Sequence, residues 1–172
     1  MRRFGRKLIR CILLVLALNL SLVSFTSQAK ASDNTFYDMK ARAAYAIDAQ
    51  TGQVLYQKNA KKTYPIASLT KILTLAVIEQ DIKEHKLSWD QKIKVTPAVA
   101  KVANDWHFSN VQLNAGEQYS VRQLVESMML VSADGSTEAL ALADAGSTAA
   151  FNRKMQAVAK KAGVTDAKIY NM

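Results

Sequence analysis

Cysteine occurs once, at Cys11. It stands at the start of an N-terminal apolar run, whereas a lipoprotein cysteine would follow such a run. The chain beyond it has no thiol, which excludes a disulfide framework and cysteine nucleophilic chemistry. Histidine occurs twice, as His85 and His107, and neither has ligand-like partners at metal spacing, so surface or packing roles are expected and no metal centre. Proline occurs only at Pro65 and Pro97, and repeats and low-complexity linkers are absent, which argues against a multidomain string. An apolar content of 49% with 22% charged residues describes one globular domain of ordinary size.

Acidic residues are missing from the first thirty-one positions. Arg2, Arg3, Arg6, Lys7 and Arg10 precede an apolar run from Ile12 to Val23, and Ala29-Lys30-Ala31 supplies small residues at the spacing of a processing site. This is the pattern of a secretory signal, with cleavage expected after Ala31; the run is short for a full membrane span, and a retained anchor is the alternative. Six of the 23 basic residues and none of the 14 acids lie there, so residues 32–172 carry 17 against 14, or +3 in place of +9. The pI of 9.7 therefore gives little support to a nucleic-acid partner.

From Ala41 the chain reads ARAAYAIDAQTGQVLYQKNA. Ala43, Tyr45 and Ile47 alternate, Thr51-Gly52 marks a turn, and Val54 and Tyr56 alternate again, which predicts a β-hairpin. After Pro65, the residues Leu69, Ile72, Leu73, Leu75, Ala76, Val77 and Ile78 are apolar on almost every side and predict a helix sunk in a core. Thr96-Pro97 is an N-cap and first-turn pair, with short strands expected near 93–95 and 111–113. Ser120 and Gln123 form a capping box ahead of Val121, Leu124, Val125, Met128 and Met129, a helical core stripe. A small-residue helix is expected over 136–145 and a last helix over 149–162, closed by Gly163. Asn104 to Phe108 read as an aromatic loop anchor, with a cleft-lining role as the alternative.

Two short patterns could carry chemistry. Ser68 and Lys71 stand three apart at the start of the buried helix and share one face. Helix N-termini favour nearby negative charge, and burial disfavours a lysine's ammonium form; a neutral amine beside a hydroxyl can take its proton and make the serine a nucleophile. The plainer alternative is a capping serine and a lysine that snorkels outward. A second Ser-x-x-Lys, Ser27 and Lys30, falls in the signal. The other pattern, Ser132-Ala133-Asp134, joins two helical segments and by itself reads as a turn and cap.

Taken together and in this order, 64 residues apart (132 − 68), these patterns resemble those of the penicillin-recognising serine enzymes. The stretches AAYAIDAQTGQVLYQKNAKKTYPIASLTKILT, VQLNAGEQYSVRQLVESMMLVSADGSTEALALA and AFNRKM are similar to the D-alanyl-D-alanine carboxypeptidases of the peptidase S11 type. The resemblance covers nearly all of 41–172. It implies an α/β (α+β) fold of helices on an antiparallel sheet, β-lactamase/transpeptidase-like, of which 32–172 would be the N-terminal portion. It implies that Ser68 attacks the bond between the terminal D-alanines of a peptidoglycan stem peptide, that Lys71 accepts its proton, that Ser132 relays a proton, and that Asp134 stands at a substrate-binding position. It also implies no metal or organic cofactor, β-lactams as covalent inhibitors, and action at the extracellular face of the envelope or in the periplasm. Membrane anchoring and oligomeric state stay open.

Two departures stand out. The third residue of the turn is Asp134 where the family pattern has Asn, and an ionised Asp accepts hydrogen bonds but cannot donate them. The family's third motif, Lys or His, then Ser or Thr, then Gly, is not found in the 172 residues; the nearest match, Gln50-Thr51-Gly52, belongs to the hairpin turn. In the family that later strand binds the substrate carboxylate and supplies an oxyanion donor, whose loss costs about 2.7–4 kcal/mol of transition-state stabilisation. A serine β-lactamase of the same fold is one alternative, although no glutamate is placed to drive rapid deacylation. A non-catalytic envelope binding protein is the other.

Overall fold

The computed structural model describes residues 40–164 and 166–170. The expected signal, its Ala31 cleavage point, Cys11, Ser27 and Lys30 lie outside the described residues. The chain divides into two compact units, through Tyr64 and from Pro65 onward.

In the first unit, strands β1 (Ala44–Ile47) and β2 (Val54–Lys58) pair antiparallel, with Ala44 opposite Lys58 and Ala46 opposite Tyr56. The turn is tied by Asp48, whose Oδ1 accepts from the backbone N–H of Thr51 at 2.7 Å and from the Thr51 hydroxyl at 2.7 Å. Gly52 sits at φ +73°, a left-handed position that suits a residue without Cβ. These bonds hold the Asp48 carboxyl below its ordinary range, the Thr51 hydroxyl contributing most. Gln50-Thr51-Gly52 is thus turn structure, as expected. The expected alternation is present, but Tyr45 and Ile47, together with Leu55, are on the exposed face. A two-stranded ribbon has no second layer of its own to cover both faces.

In the second unit a 3₁₀ turn at Ala67–Leu69 leads into α1 (Thr70–Lys83). Strand β3 (Lys92–Lys94) is followed by α2 (Pro97–Ala103), capped by the Thr96 hydroxyl, which accepts from the Val99 N–H. Strand β4 (Gln118–Ser120) pairs antiparallel with β3, Ile93 opposite Tyr119. The strand expected at 111–113 is therefore displaced to 118–120. Leu113 is buried as a loop residue, and Gly116 at φ +91° provides the return, its N–H donating to Val95 O at 2.9 Å. Helices α3 (Val121–Val131), α4 (Asp134–Ala145) and α5 (Thr148–Lys161) complete the unit. The capping box forms as expected, the Ser120 hydroxyl accepting from the Gln123 N–H while the Gln123 side chain accepts from the Ser120 N–H. One core gathers Val77 and Ile78 of α1, Val99 of α2, Leu124 and Met128 of α3, Leu140 of α4, and Phe151 and Met155 of α5.

Helix α1 departs from its expected pattern. Leu69 and Ile72 are 62% and 58% exposed, whereas Lys71, Thr74 and Asp81 are buried. A helix apolar nearly all round can turn either face inward, and here ion pairs choose the face. Asp81 meets Lys154 of α5, and Lys154 also holds Asp144 of α4 at 2.6 Å. Burial alone would push the Asp81 carboxyl up, but hydrogen bonds from Lys154, Asp144 and Lys86 hold it below the ordinary range. At Asp144 burial wins and the carboxyl is raised. Burial opposes the Lys154 ammonium, but its two carboxylate partners prevail and raise it.

The signs determine the pH behaviour. Asp81 adds stability above its unfolded value that is lost as pH falls, whereas Asp144 adds stability at low pH that is lost as pH rises through its raised value. Removing Lys154 leaves two carboxylates, 3% and 2% exposed, with only the exposed Lys86, 3.3 Å from Asp81, to offset them and no cation at Asp144. Lys154→Met should destabilise the protein by about 3 kcal/mol at neutral pH. The loss should shrink in mild acid, as Asp144 takes up a proton. Urea unfolding at several pH values checks this; a cost independent of pH would contradict it.

Candidate active site

Ser68 stands in the 3₁₀ turn, and Ala67 immediately before it is held at φ +45°. A left-handed alanine costs about 1–2 kcal/mol, and such strain typically marks a turn whose geometry is imposed by its surroundings. One turn later Lys71 points inward, only 5% exposed. The outward, snorkelling alternative is thereby excluded. Ser132 ends α3 in the left-handed region at φ +60°, which brings its hydroxyl back over the start of α1.

These elements converge on one ammonium-bearing atom. Lys71 Nζ lies 2.6 Å from Asp134 Oδ1, 2.9 Å from Ser132 O, 3.0 Å from Ser132 Oγ and 3.5 Å from Ser68 Oγ. Ser132 Oγ and Ser68 Oγ are 2.9 Å apart. All four residues picked out from the sequence are thus brought together. An ammonium has three hydrogens for these four acceptors, and the contact with Ser68 is the longest. A proton leaving Ser68 has two routes to Lys71, directly over 3.5 Å or through the Ser132 hydroxyl in steps of 2.9 and 3.0 Å. The stepwise route has ordinary hydrogen-bond lengths throughout.

The serines and Lys71 line an open cleft of about 370 Å³ together with Ile66, Leu69, Ile72, Met128 and Met129. Met129, expected in the core stripe, is 43% exposed, because the helical stripe has already passed inward through Leu124, Val125 and Met128. Asp134 is not among the lining residues; its carboxylate is engaged with Lys71. Leu130 and Val131 of the same helix are exposed apolar residues as well.

The aromatic loop also differs from expectation. Trp106 is 84% exposed and so anchors nothing. It stacks on His107, ring centroids 3.7 Å apart, and His107 Nδ1 lies 2.7 Å from Asp105 Oδ1. The N–H and ring of His107 hold the Asp105 carboxyl below its ordinary range.

With the geometry in place, comparison with known proteins decides the family. The profile of the D-alanyl-D-alanine carboxypeptidase family, peptidase S11, matches residues 26–172. The chain belongs to this family. It is 34% identical over 157 residues to D-alanyl-D-alanine carboxypeptidase DacC of Escherichia coli, covering 84% of this chain and 37% of that protein. It is 28% identical over 132 residues to DacF of Bacillus subtilis, covering 77% and 33%. Among solved structures, the D-alanyl-D-alanine carboxypeptidase DacD of Francisella tularensis superposes with a TM-score of 0.74 at 34% identity, covering 78% of this chain and 32% of that one. The chain thus spans about a third of the length of these relatives. The fold is the penicillin-binding, transpeptidase-like α/β type that the sequence implied.

Within this S11 chain, the Ser132 turn is held by a close helix contact. A Cβ added to Gly135 would stand 2.4 Å from Ala103 Cβ and 2.6 Å from Ala103 Cα. Gly135→Ala should therefore force α4 off α2 and destabilise by about 1–3 kcal/mol. Adding Ala103→Gly should recover only part of this, because the Cα remains in the way. Denaturant titration of the single and double variants measures it, and a neutral Gly135→Ala would contradict the contact.

Proposed function

We propose that the chain forms the N-terminal part of a serine-type D-Ala-D-Ala carboxypeptidase acting on peptidoglycan stem peptides. The observation that carries this reading is the chain of contacts from Ser68 Oγ through Ser132 Oγ to Lys71 Nζ. In the proposed reaction Ser68 Oγ bonds to the carbonyl carbon between the two D-alanines, and its proton passes through Ser132 to the unprotonated Lys71 amine. The C–N bond then breaks, the proton returns through Ser132 to the leaving D-alanine amine, and water releases the acyl group from Ser68. β-Lactams would acylate the same oxygen. The N-terminal pattern supports export, with residues 32–172 retained on the outer side of the membrane in the envelope or periplasm. Hydrolysis by residues 32–172 alone should be negligible, since the third motif does not occur in them.

One observation favours a second reading. The contact between Lys71 and Asp134, 2.6 Å, pairs an ammonium with a carboxylate, and an ammonium cannot accept a proton. A non-catalytic protein that binds wall peptides would tolerate this arrangement. A β-lactamase would turn penicillin over rapidly.

Intact-mass analysis of the exported protein after penicillin treatment separates the three, using the chain with any coding sequence that follows Met172 in frame. One penicilloyl adduct that persists, on a protein beginning at Ser32, is the expected result. Ser68→Ala should abolish it, and Lys71→Met should slow it by about 10²–10⁴-fold. Asp134→Asn, which removes the carboxylate from the amine, should speed acylation. No adduct would favour the binding protein, and a transient adduct the lactamase.

A further inference from the structure

Helix α4 begins without a cap of its own. Its N-cap residue is Ala133, which has no side-chain acceptor, yet this helix start carries Asp134 and directly follows Ser132. The first free N–H groups of a helix need partners from elsewhere. Both are found 25 residues earlier in the chain. Asp134 N–H donates to Ser109 O at 2.9 Å, and Gly135 N–H donates to Asn110 Oδ1 at 2.8 Å. The other end of the Asn110 amide is fixed as well, Nδ2 donating to Val102 O at 2.7 Å, with a longer contact to Asp105 O at 3.4 Å. Val102 lies in the last turn of α2, next to the Ala103 that packs on Gly135.

We infer that Asn110 is a positioning residue for the reaction: by capping α4 from outside and tying it to α2, it fixes where Ser132 and Asp134 present themselves to Lys71. This rests on the function proposed above. The amide is suited to the task because it offers an acceptor to the α4 N-terminus and a donor to the α2 C-terminus at once. A hydrophobic isostere would orphan the Gly135 N–H and cut the tie to the Val102 carbonyl, which would keep only the Asp105 N–H at 3.1 Å. Ser132 is held on one side by α3, its N–H donating to Ser127 O, and on the other only through the start of α4, so loss of the α4 cap would move its hydroxyl relative to Ser68. Displacements of about 1 Å are enough to cost on the order of a hundredfold in rate.

The test compares Asn110→Leu with Asn110→Asp, which keeps an acceptor for Gly135, in the chain with any in-frame continuation. Three quantities are read: the rate of Ser68 acylation by a fluorescent penicillin, its final stoichiometry, and hydrogen exchange at the Asp134 and Gly135 amides. Asn110→Leu should acylate about tenfold to a hundredfold more slowly, still reach full stoichiometry, and exchange faster at those two amides. Asn110→Asp should recover most of the rate. A wild-type rate in Asn110→Leu overturns the inference. So does reduced stoichiometry at an unchanged rate, which would make Asn110 a folding residue only. If the unmodified chain is not acylated at Ser68, the proposed function falls, and exchange alone decides: unchanged protection at Asp134 and Gly135 overturns the inference, and faster exchange confined to them supports it.

Discussion

The buried Lys71 amine is the constraint around which the second unit is arranged. A lysine head taken out of water must be met by acceptors, and the penalty for leaving it bare is several kcal/mol. Those acceptors come from three places in the chain: Ser68 one turn earlier, the hydroxyl and carbonyl of Ser132, and the carboxylate of Asp134. Because Asp134 and the Ser132 carbonyl make the shorter contacts, Ser68 is left as the weakest partner. The same competition leaves the Ser68 hydroxyl bonded to Ser132 instead, the arrangement on which the proposed relay rests.

A second charge cluster repeats the device at the other end. Lys71 and Asp81 on α1 are ten residues apart, as are Asp134 and Asp144 on α4 (81 − 71 and 144 − 134). At 1.5 Å per residue, each pair spans about 15 Å. Lys71 meets Asp134 directly, and Asp81 reaches Asp144 through Lys154. The two helices therefore run parallel, with both N-termini at the cleft, and the positive ends of two helix dipoles face the region where negative charge would develop. Asp134, in the first turn of α4, complements that dipole as well as the lysine. The cleft lining is largely apolar, through Ile66, Leu69, Ile72, Met128 and Met129, so the polar centre sits among apolar side chains.

Much of this was legible in the sequence because it is local. The hairpin turn, the Thr96 and Ser120 caps, and the α3 stripe depend on residues within a few positions of one another. The pairing of Ser68 with Lys71 is one helical turn. What could not be read is tertiary. Nothing in the spacing distinguishes the inward face of α1, since Ile72 and Leu69 are as apolar as Val77 and Ile78; the ion pairs of Lys71 and Asp81 decide it. Val111-Gln112-Leu113 alternates with two apolar residues and Gln118-Tyr119-Ser120 with only Tyr119, yet the partner β3 pairs with the second. Trp106 read as an anchor because large aromatics are commonly buried, yet the loop's hydrogen bonds run through Ser109 and Asn110 instead. Asn110 carries no sequence signal at all, since its acceptor serves a helix 25 residues away.

The central claim is that the buried Lys71 and the partly buried Asp134 form an ion pair that clamps α1 to α4 at the site. A double-mutant cycle on stability tests it most directly, with Lys71→Met, Asp134→Asn and the double variant unfolded in urea at neutral pH. Each single change strands one charge, and the double change strands neither. The double variant should therefore cost less than the sum of the singles, by about 1 kcal/mol or more. Additivity within about 0.3–0.5 kcal/mol would show that the two groups do not depend on each other and would contradict the account.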